Sequence, residues 1–373
     1  MVMILNEEAR MVRETALGFF AERSPITALR RLRDDNDPVG FSRPLWQQMA
    51  ELGWTGFLVP EEYGGSEFGI AGLAQVMEAA GRTLTASPLL STALLGARLV
   101  ATAGSDDQKA EILPSLVAGE RLIALALDEG SRHAPDHVAL TATKDGGGYR
   151  IDGRKSFVLD GHIADTLIVA ARAPEGVTLF LLPANIAGVT RTRLISLDSR
   201  NVATIAFDRV SVTPEAVLGP LGGGAAILDS ALDYARAGLA AEMLGSASEA
   251  FDRTVQYLKD RKQFGVPIGS FQALKHRAAQ MFCEVEMTRS AVMAATAALD
   301  QGGNDAAALV SLAKAKANQT LFLCGNEGVQ MHGGIGMTDE HEIGFFTKRA
   351  RVAMATFGDT RFHQDRYARL MGY

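Results

Sequence analysis

The texture of this chain changes twice, and that limits its architecture more than any single motif does. Up to about residue 118, apolar residues recur at helical spacing. From about Arg121 to Gly219, short β-branched and aromatic runs stand between turns, and after Gly222-Gly223-Gly224 alanine-rich helical periodicity returns. In the first part, Ala9, Val12, Ala16 and Phe19 mark one helix face and Asp35–Pro38 is a break. Pro44–Leu52 and Ile70–Gly81 read as further helices on either side of the breaker-rich Leu58–Gly65. Pro88 starts another, and Leu113–Pro114 is expected to end the helical part.

The middle runs are Tyr149–Gly153, Ser156–Leu159, Thr166–Ala170, Thr178–Leu182 and Val202–Phe207. With no helix pattern between them they predict an antiparallel β domain, a small barrel or sandwich, with a hairpin turn at Asp145–Gly148. Ile227–Lys259, Phe271–Gln301, Asp305–Gly328 and Met337–Ala355 predict long helices. Alanine on several faces of these helices suits close packing in a bundle that also buries an oligomer interface. The expected fold class is α+β: an N-terminal helical domain over 1–118, a middle β domain over 119–220 and a C-terminal helical bundle over 221–373.

Composition narrows the functional classes. A 47% hydrophobic, 21% charged chain is of ordinary globular type, and no apolar stretch approaches the roughly 20 residues of a membrane span. A net charge of −6 without a long basic run argues against nucleic acid as the main partner. Glu7, Glu8, Arg10, Arg13 and Glu14 interrupt residues 1–20, so no secretory signal is expected there. Cys283 and Cys324 lie in helical patterns without metal-ligand spacing and read as free thiols. The expectation is a soluble, cytoplasmic protein.

Three segments carry chemical interest. Arg261-Lys262-Gln263-Phe264-Gly265-Val266-Pro267 leaves one helix through a Gly/Pro loop and Gln272 opens the next. An arginine fork suits a diphosphate, although cations at a helix C-terminus also answer its macrodipole. In Gln330-Met331-His332-Gly333-Gly334-Ile335-Gly336 the glycines allow close backbone approach to a ligand, or simply end a helix. The third is Thr356-Phe357-Gly358-Asp359.

Together with Pro60-Glu61-Glu62-Tyr63-Gly64-Gly65, these segments stand in an order that resembles the acyl-CoA dehydrogenase family over the whole chain. The resemblance implies FAD as cofactor, held at its diphosphate and adenosine by Arg261, Gln263, Phe264, Gln272, Gln330, Gly333 and Gly334, partly across a subunit interface. In the β domain it implies Phe157 near the isoalloxazine and a cofactor contact in the loop holding Asp128. Asp128 and Leu159 stand where family members usually have threonine, and Leu159 offers no hydroxyl.

Family members remove the substrate's α-proton with a glutamate at the position of Phe357, or at that of Ala235. Neither is a carboxylate here, and a general base is worth about 100- to 10,000-fold in rate. Asp359 is the nearest acid, a candidate base or a helix cap. Arg236 is a candidate substrate-guiding residue or an ion-pair partner.

The resemblance thus implies α,β-dehydrogenation of an acyl-CoA, passing electrons to an electron-transfer flavoprotein. The chain is expected to act in a homotetramer based on Asp359, or in a heterotetramer whose related subunit brings the base. A flavin oxidase or monooxygenase on the same fold, and a cofactor-free structural subunit, are the alternatives.

Overall fold

The computed structural model describes residues 5–373. They gather into two compact units, each assembled from separated stretches: one from the chain up to Asp34, Ile70–Thr85 and Arg236–Tyr373, the other from Asp35–Gly69 and Ala86–Ala235.

The second unit carries a sheet of eight strands: β1 (Ile123–Ala126), β2 (Thr141–Asp145), β3 (Gly148–Leu159), β4 (Thr166–Ala173), β5 (Gly176–Pro183), β6 (Val189–Ile195), β7 (Asn201–Val212) and β8 (Val217–Leu218). Seven of them run in the order β6-β7-β3-β2-β4-β5-β8, and β1 joins at β4 off this path. The hairpin expected at Asp145–Gly148 is present, and Gly146 and Gly147 at φ 56° and 94° supply the two left-handed residues of a tight turn. The sheet is not purely antiparallel as expected. β1 pairs with β4 in parallel, from Ile123↔Thr166 to Ala126↔Val169. All four β1 residues are buried, so β1 lacks the apolar–polar alternation that marks a strand with one wet face. β3 pairs with β7 through two irregularities, the second lying between Lys155 and Val158 and displacing Ser156 and Phe157 from the ladder.

Helices of this unit include α3 (Arg43–Glu51), α5 (Ala97–Ala103) and α6 (Asp106–Val117), besides a π-helical stretch at Leu89–Gly96. α6 opens on a capping box of Ser105 and Gln108. It runs past Pro114, where an end was expected, because Ala118 N closes the turn on Pro114 O at 3.0 Å.

The first unit holds α1 (Glu7–Arg23), α2 (Ile26–Asp34), α4 (Ile70–Arg82), most of α7 (Gly224–Asp260), and then α8 (Gln272–Asp300), α9 (Ala306–His332), α10 (Ile343–Ala355) and α11 (Thr360–Leu370). α10 starts later than the expected Met337, because Gly333–Met337 forms a 3-10 turn and Thr338 N bonds back to Ile335 O. Among the described residues no helix is long and apolar enough to cross a membrane. No group of His, Cys, Asp and Glu among them is placed to hold a metal ion. Cys283 and Cys324 are free thiols, and burial pushes the Cys324 thiol up to about 12.

α4 and α7 meet with almost no side-chain layer between them. A Cβ on Gly245 would lie 1.8 Å from Glu78 O, and one on Gly81 2.0 Å from Glu242 O. Ser246 Oγ donates to Gly81 O at 2.8 Å across the same crossing. Helix propensity alone makes Gly245→Ala stabilising by about 1 kcal/mol. Steric overlap with backbone outweighs that, so Gly245→Ala is expected to destabilise the chain by about 1–3 kcal/mol in urea unfolding. A stabilised variant would show that this contact is not close.

Candidate functional site

α7 ends at Asp260 and the chain turns back through a hairpin, β9 (Lys262–Gln263) against β10 (Val266–Pro267). Its two turn residues are Phe264 at φ 53° and Gly265 at φ 81°. Glycine suits that geometry, whereas a phenylalanine there carries strain. The Phe264 ring gains no burial in return: it is 90% exposed, edge-on to Phe271 at 6.0 Å. A strained, exposed aromatic of this kind points to a contact outside the chain.

α9 ends on the opposite wall. His332 is buried, stacks on Tyr257 at 4.4 Å, and meets Gly328 O through Nδ1 at 2.6 Å. Burial holds its imidazole below the ordinary histidine range, so it is neutral packing at pH 7. Gly333 at φ 65° then reverses the chain.

A groove of about 640 Å³ opens between these segments, and Arg261, Gln263, Phe264, Gln330, Gly333 and Gly334 all line it. Gln272 is not among its lining residues; it opens α8 and is exposed. Sequence reasoning missed Tyr257 and Arg277. Tyr257 sits four residues before Arg261, hence on the same helix face, which was the available signal.

The groove fits a nucleotide diphosphate by two observations. Arg261 is exposed and makes no ion pair among the described residues, whereas Arg277 is paired with Glu327. A Cβ on Gly334 would meet nothing within 4 Å, so nothing in the chain itself calls for glycine there. Room for an approaching molecule does.

The segment where a base was sought is built differently. Phe357 is buried at φ 56° and Gly358 follows at φ 114°. Phe357 O accepts from His363 Nε2 at 3.1 Å and Arg236 Nε at 3.4 Å. Gly358 O accepts from Lys314 Nζ at 3.2 Å and Asn318 Nδ2 at 3.4 Å. Burial, with Lys314 and Arg236 nearby, pushes the His363 imidazole down to about 2, so it stays neutral.

Asp359, the candidate base, is the N-cap of α11 and accepts from Phe362 N at 2.8 Å. Arg236, the candidate substrate guide, is fully buried with its guanidinium 5.4 Å from the Phe362 ring centroid. Ala235 is also fully buried. Two buried acids of the helical unit are ion-paired, Glu242 to Arg349 at 2.7 Å and Glu78 to Arg289 at 2.5 Å.

In the sheet unit, Phe157 stands at φ 52° with over half its surface exposed, on the irregular stretch of β3. Its neighbour Ser156 donates from N to Asp128 O at 2.7 Å, and from Oγ to Glu129 O at 3.2 Å. The Asp128 carboxylate meets His133 Nδ1 at 3.0 Å and Ala134 N at 3.2 Å, inside its own loop. Fully buried Lys155 donates to Leu127 O at 2.9 Å and Glu129 Oε1 at 2.6 Å. This loop is therefore stiff, and both Asp128 oxygens are engaged within it.

Comparison with known proteins assigns this helical, sheet and helical arrangement. The acyl-CoA dehydrogenase N-terminal, middle and C-terminal domain models match residues 6–120, 128–210 and 222–372. The chain belongs to the acyl-CoA dehydrogenase family of oxidoreductases, and it has that family's order of helical, sheet and helical parts.

Among its relatives, a 3-(aryl)acrylate reductase of Clostridium sporogenes is 30% identical over 97% of this chain and 98% of its own. A variant of the steroid ACAD Tcur3481-Tcur3483 is 30% identical, with a TM-score of 0.89 over 98% of both chains. The ChsE4-ChsE5 complex from Mycobacterium tuberculosis contains a chain 26% identical, with a TM-score of 0.90, covering 100% of this chain and 99% of that one.

One buried acid beside Leu159 yields a pH prediction. Asp160 is buried at φ 54° and accepts from Ser91 Oγ at 2.5 Å. Burial pushes its carboxyl from 3.8 up to about 6, against hydrogen bonds from Ser91 and Asn201. A raised carboxyl means that the folded chain binds the proton more tightly than the unfolded one. That stabilisation is complete below about pH 4 and is lost as pH rises through about 6. Asp160→Asn keeps a residue tolerant of positive φ and removes the titration. Its stabilising advantage in urea unfolding is expected to be about 2 kcal/mol larger at pH 7.5 than at pH 4.5. Equal effects at both pH values would refute the assignment.

Proposed function

We propose that this chain is one subunit of a heteromeric FAD-dependent acyl-CoA dehydrogenase, and that a related subunit carries the base. The observation behind this reading is Phe357. An apolar ring fills the position of the α-proton acceptor, and the nearest acid, Asp359, is engaged in capping α11. The other family position for that glutamate is the buried Ala235.

FAD is the cofactor this reading requires, with Arg261, Gln263, Phe264, Gln330, Gly333 and Gly334 as its holders in this chain. The fit rests on the unpaired arginine fork, the exposed strained ring and the open glycine shelf. Bound FAD supplies a two-electron acceptor for the hydride leaving the substrate's β-carbon. In holding FAD, Arg261 would neutralise diphosphate charge, Phe264 would offer an apolar surface, and Gly333 and Gly334 would admit close backbone approach. Proton removal falls to the other subunit's carboxylate. Acyl-CoA as substrate and an electron-transfer flavoprotein as acceptor complete the proposal. The resemblance to the steroid ACAD and to the ChsE4-ChsE5 complex supports a bulky acyl group and a two-chain assembly.

The test is anaerobic flavin bleaching by a panel of acyl-CoAs. The chain purified alone with FAD should not bleach. Co-purified with a homologous chain that carries the glutamate it should bleach, and should stop when that glutamate is changed to glutamine. Bleaching by the lone chain would overturn the heteromeric reading.

A further inference from the structure

The Gly333–Gly334 shelf has little beneath it. Residues 333–335 and 337–340 are exposed, and a Cβ on Gly333 or Gly334 would meet nothing within 4 Å. Gly336, between the two exposed stretches, is buried against Val329 and His332 of α9, which holds one end of the shelf. The exposed stretch beyond it is held from α2. Arg33 grips Asp339 side-on, Nη1 to Oδ1 and Nη2 to Oδ2 at 2.7 Å each. Arg30 donates to Asp339 O at 2.6 Å and Glu340 O at 3.2 Å. Both guanidinium groups lie over the buried Phe345 ring of α10, at 4.8 and 5.0 Å from its centroid.

Isolated surface ion pairs contribute little because water screens them and long side chains lose freedom. This one differs in being bidentate, doubled by carbonyl bonds and seated on an aromatic ring.

From this geometry we infer that Asp339, held by Arg33 and Arg30, is a positioning residue that sets the shelf for the nucleotide part of the cofactor. The inference rests on the FAD reading above. Asp339 touches no ligand; it acts through the four residues of chain between it and Gly334. A second hold lies on the far side, where His341 meets His332 at 4.6 Å and Glu342 pairs with Arg253 at 2.6 Å. The Arg33 guanidinium holds the Asp339 carboxyl down at about 2, so the latch stays charged across the working pH range.

The test measures FAD and ADP binding to the full chain, together with its partner subunit where the two co-purify, by fluorescence and calorimetric titration. Asp339→Asn and Arg33→Gln are each expected to weaken ADP binding by about 3- to 30-fold. The double variant should lose no more than the larger single loss, since both break one latch. Asp339→Glu should recover most of the affinity, and the melting temperature should stay within about 2 °C of the parent, as for a surface change.

Unchanged ADP affinity in both single variants would overturn the latch alone, provided that the parent binds. Additive losses, or losses in step with falling melting temperature, would also overturn it, because Asp339 would then serve only stability. A parent that binds neither FAD nor ADP would bring down the cofactor reading and this inference together.

Discussion

Lys314 is the fixed point of the helical unit. Carried on α9 with no exposed surface, it donates to Asn318 Oδ1 at 2.7 Å, Ala353 O at 3.1 Å and Gly358 O at 3.2 Å. One ammonium group thereby joins α9, the end of α10 and the approach to α11. A buried charge is tolerable only when hydrogen bonds replace its water, and three acceptors do so here. The left-handed turn at Phe357–Gly358 is held through its backbone carbonyls, which accept from His363, Arg236, Lys314 and Asn318.

These hydrogen bonds around Phe357 serve the main chain, while its buried ring presents no carboxylate. The groove at Arg261 and Gly333 is different. It keeps a cation that is unpaired among the described residues, a strained exposed ring and a glycine whose added Cβ would meet nothing within 4 Å. Groups held at a cost to stability point to a use, and the use they fit is a shared dinucleotide.

Much of the fold was legible because its signals were local. Gly146 and Gly147 after Asp145 demanded a tight hairpin, and the long apolar periodicities of α8 and α9 could only be helices. β1 was illegible as a parallel partner because four buried apolar residues carry no directional information. β6 was missed because Val189–Ile195 is half exposed and reads as polar.

In the candidate site, Arg261, Phe264, Gln330 and the glycines were implied by the family resemblance, and they come together in one groove. The roles of Arg236 and Asp359 were not. An arginine in the middle of a long helix looks the same whether it faces ligand or core, and an aspartate before a helix serves equally as cap or base. Only burial and the bond to Phe362 N separate those meanings.

The account stands or falls on whether this chain can remove an α-proton. The direct measurement is deuterium uptake at the α-carbon of a saturated acyl-CoA in heavy water, followed by NMR or mass spectrometry, with the chain alone and FAD present. The account predicts no exchange above the buffer rate, and exchange once the glutamate-bearing subunit is added. Exchange catalysed by the lone chain and abolished by Asp359→Asn would contradict it.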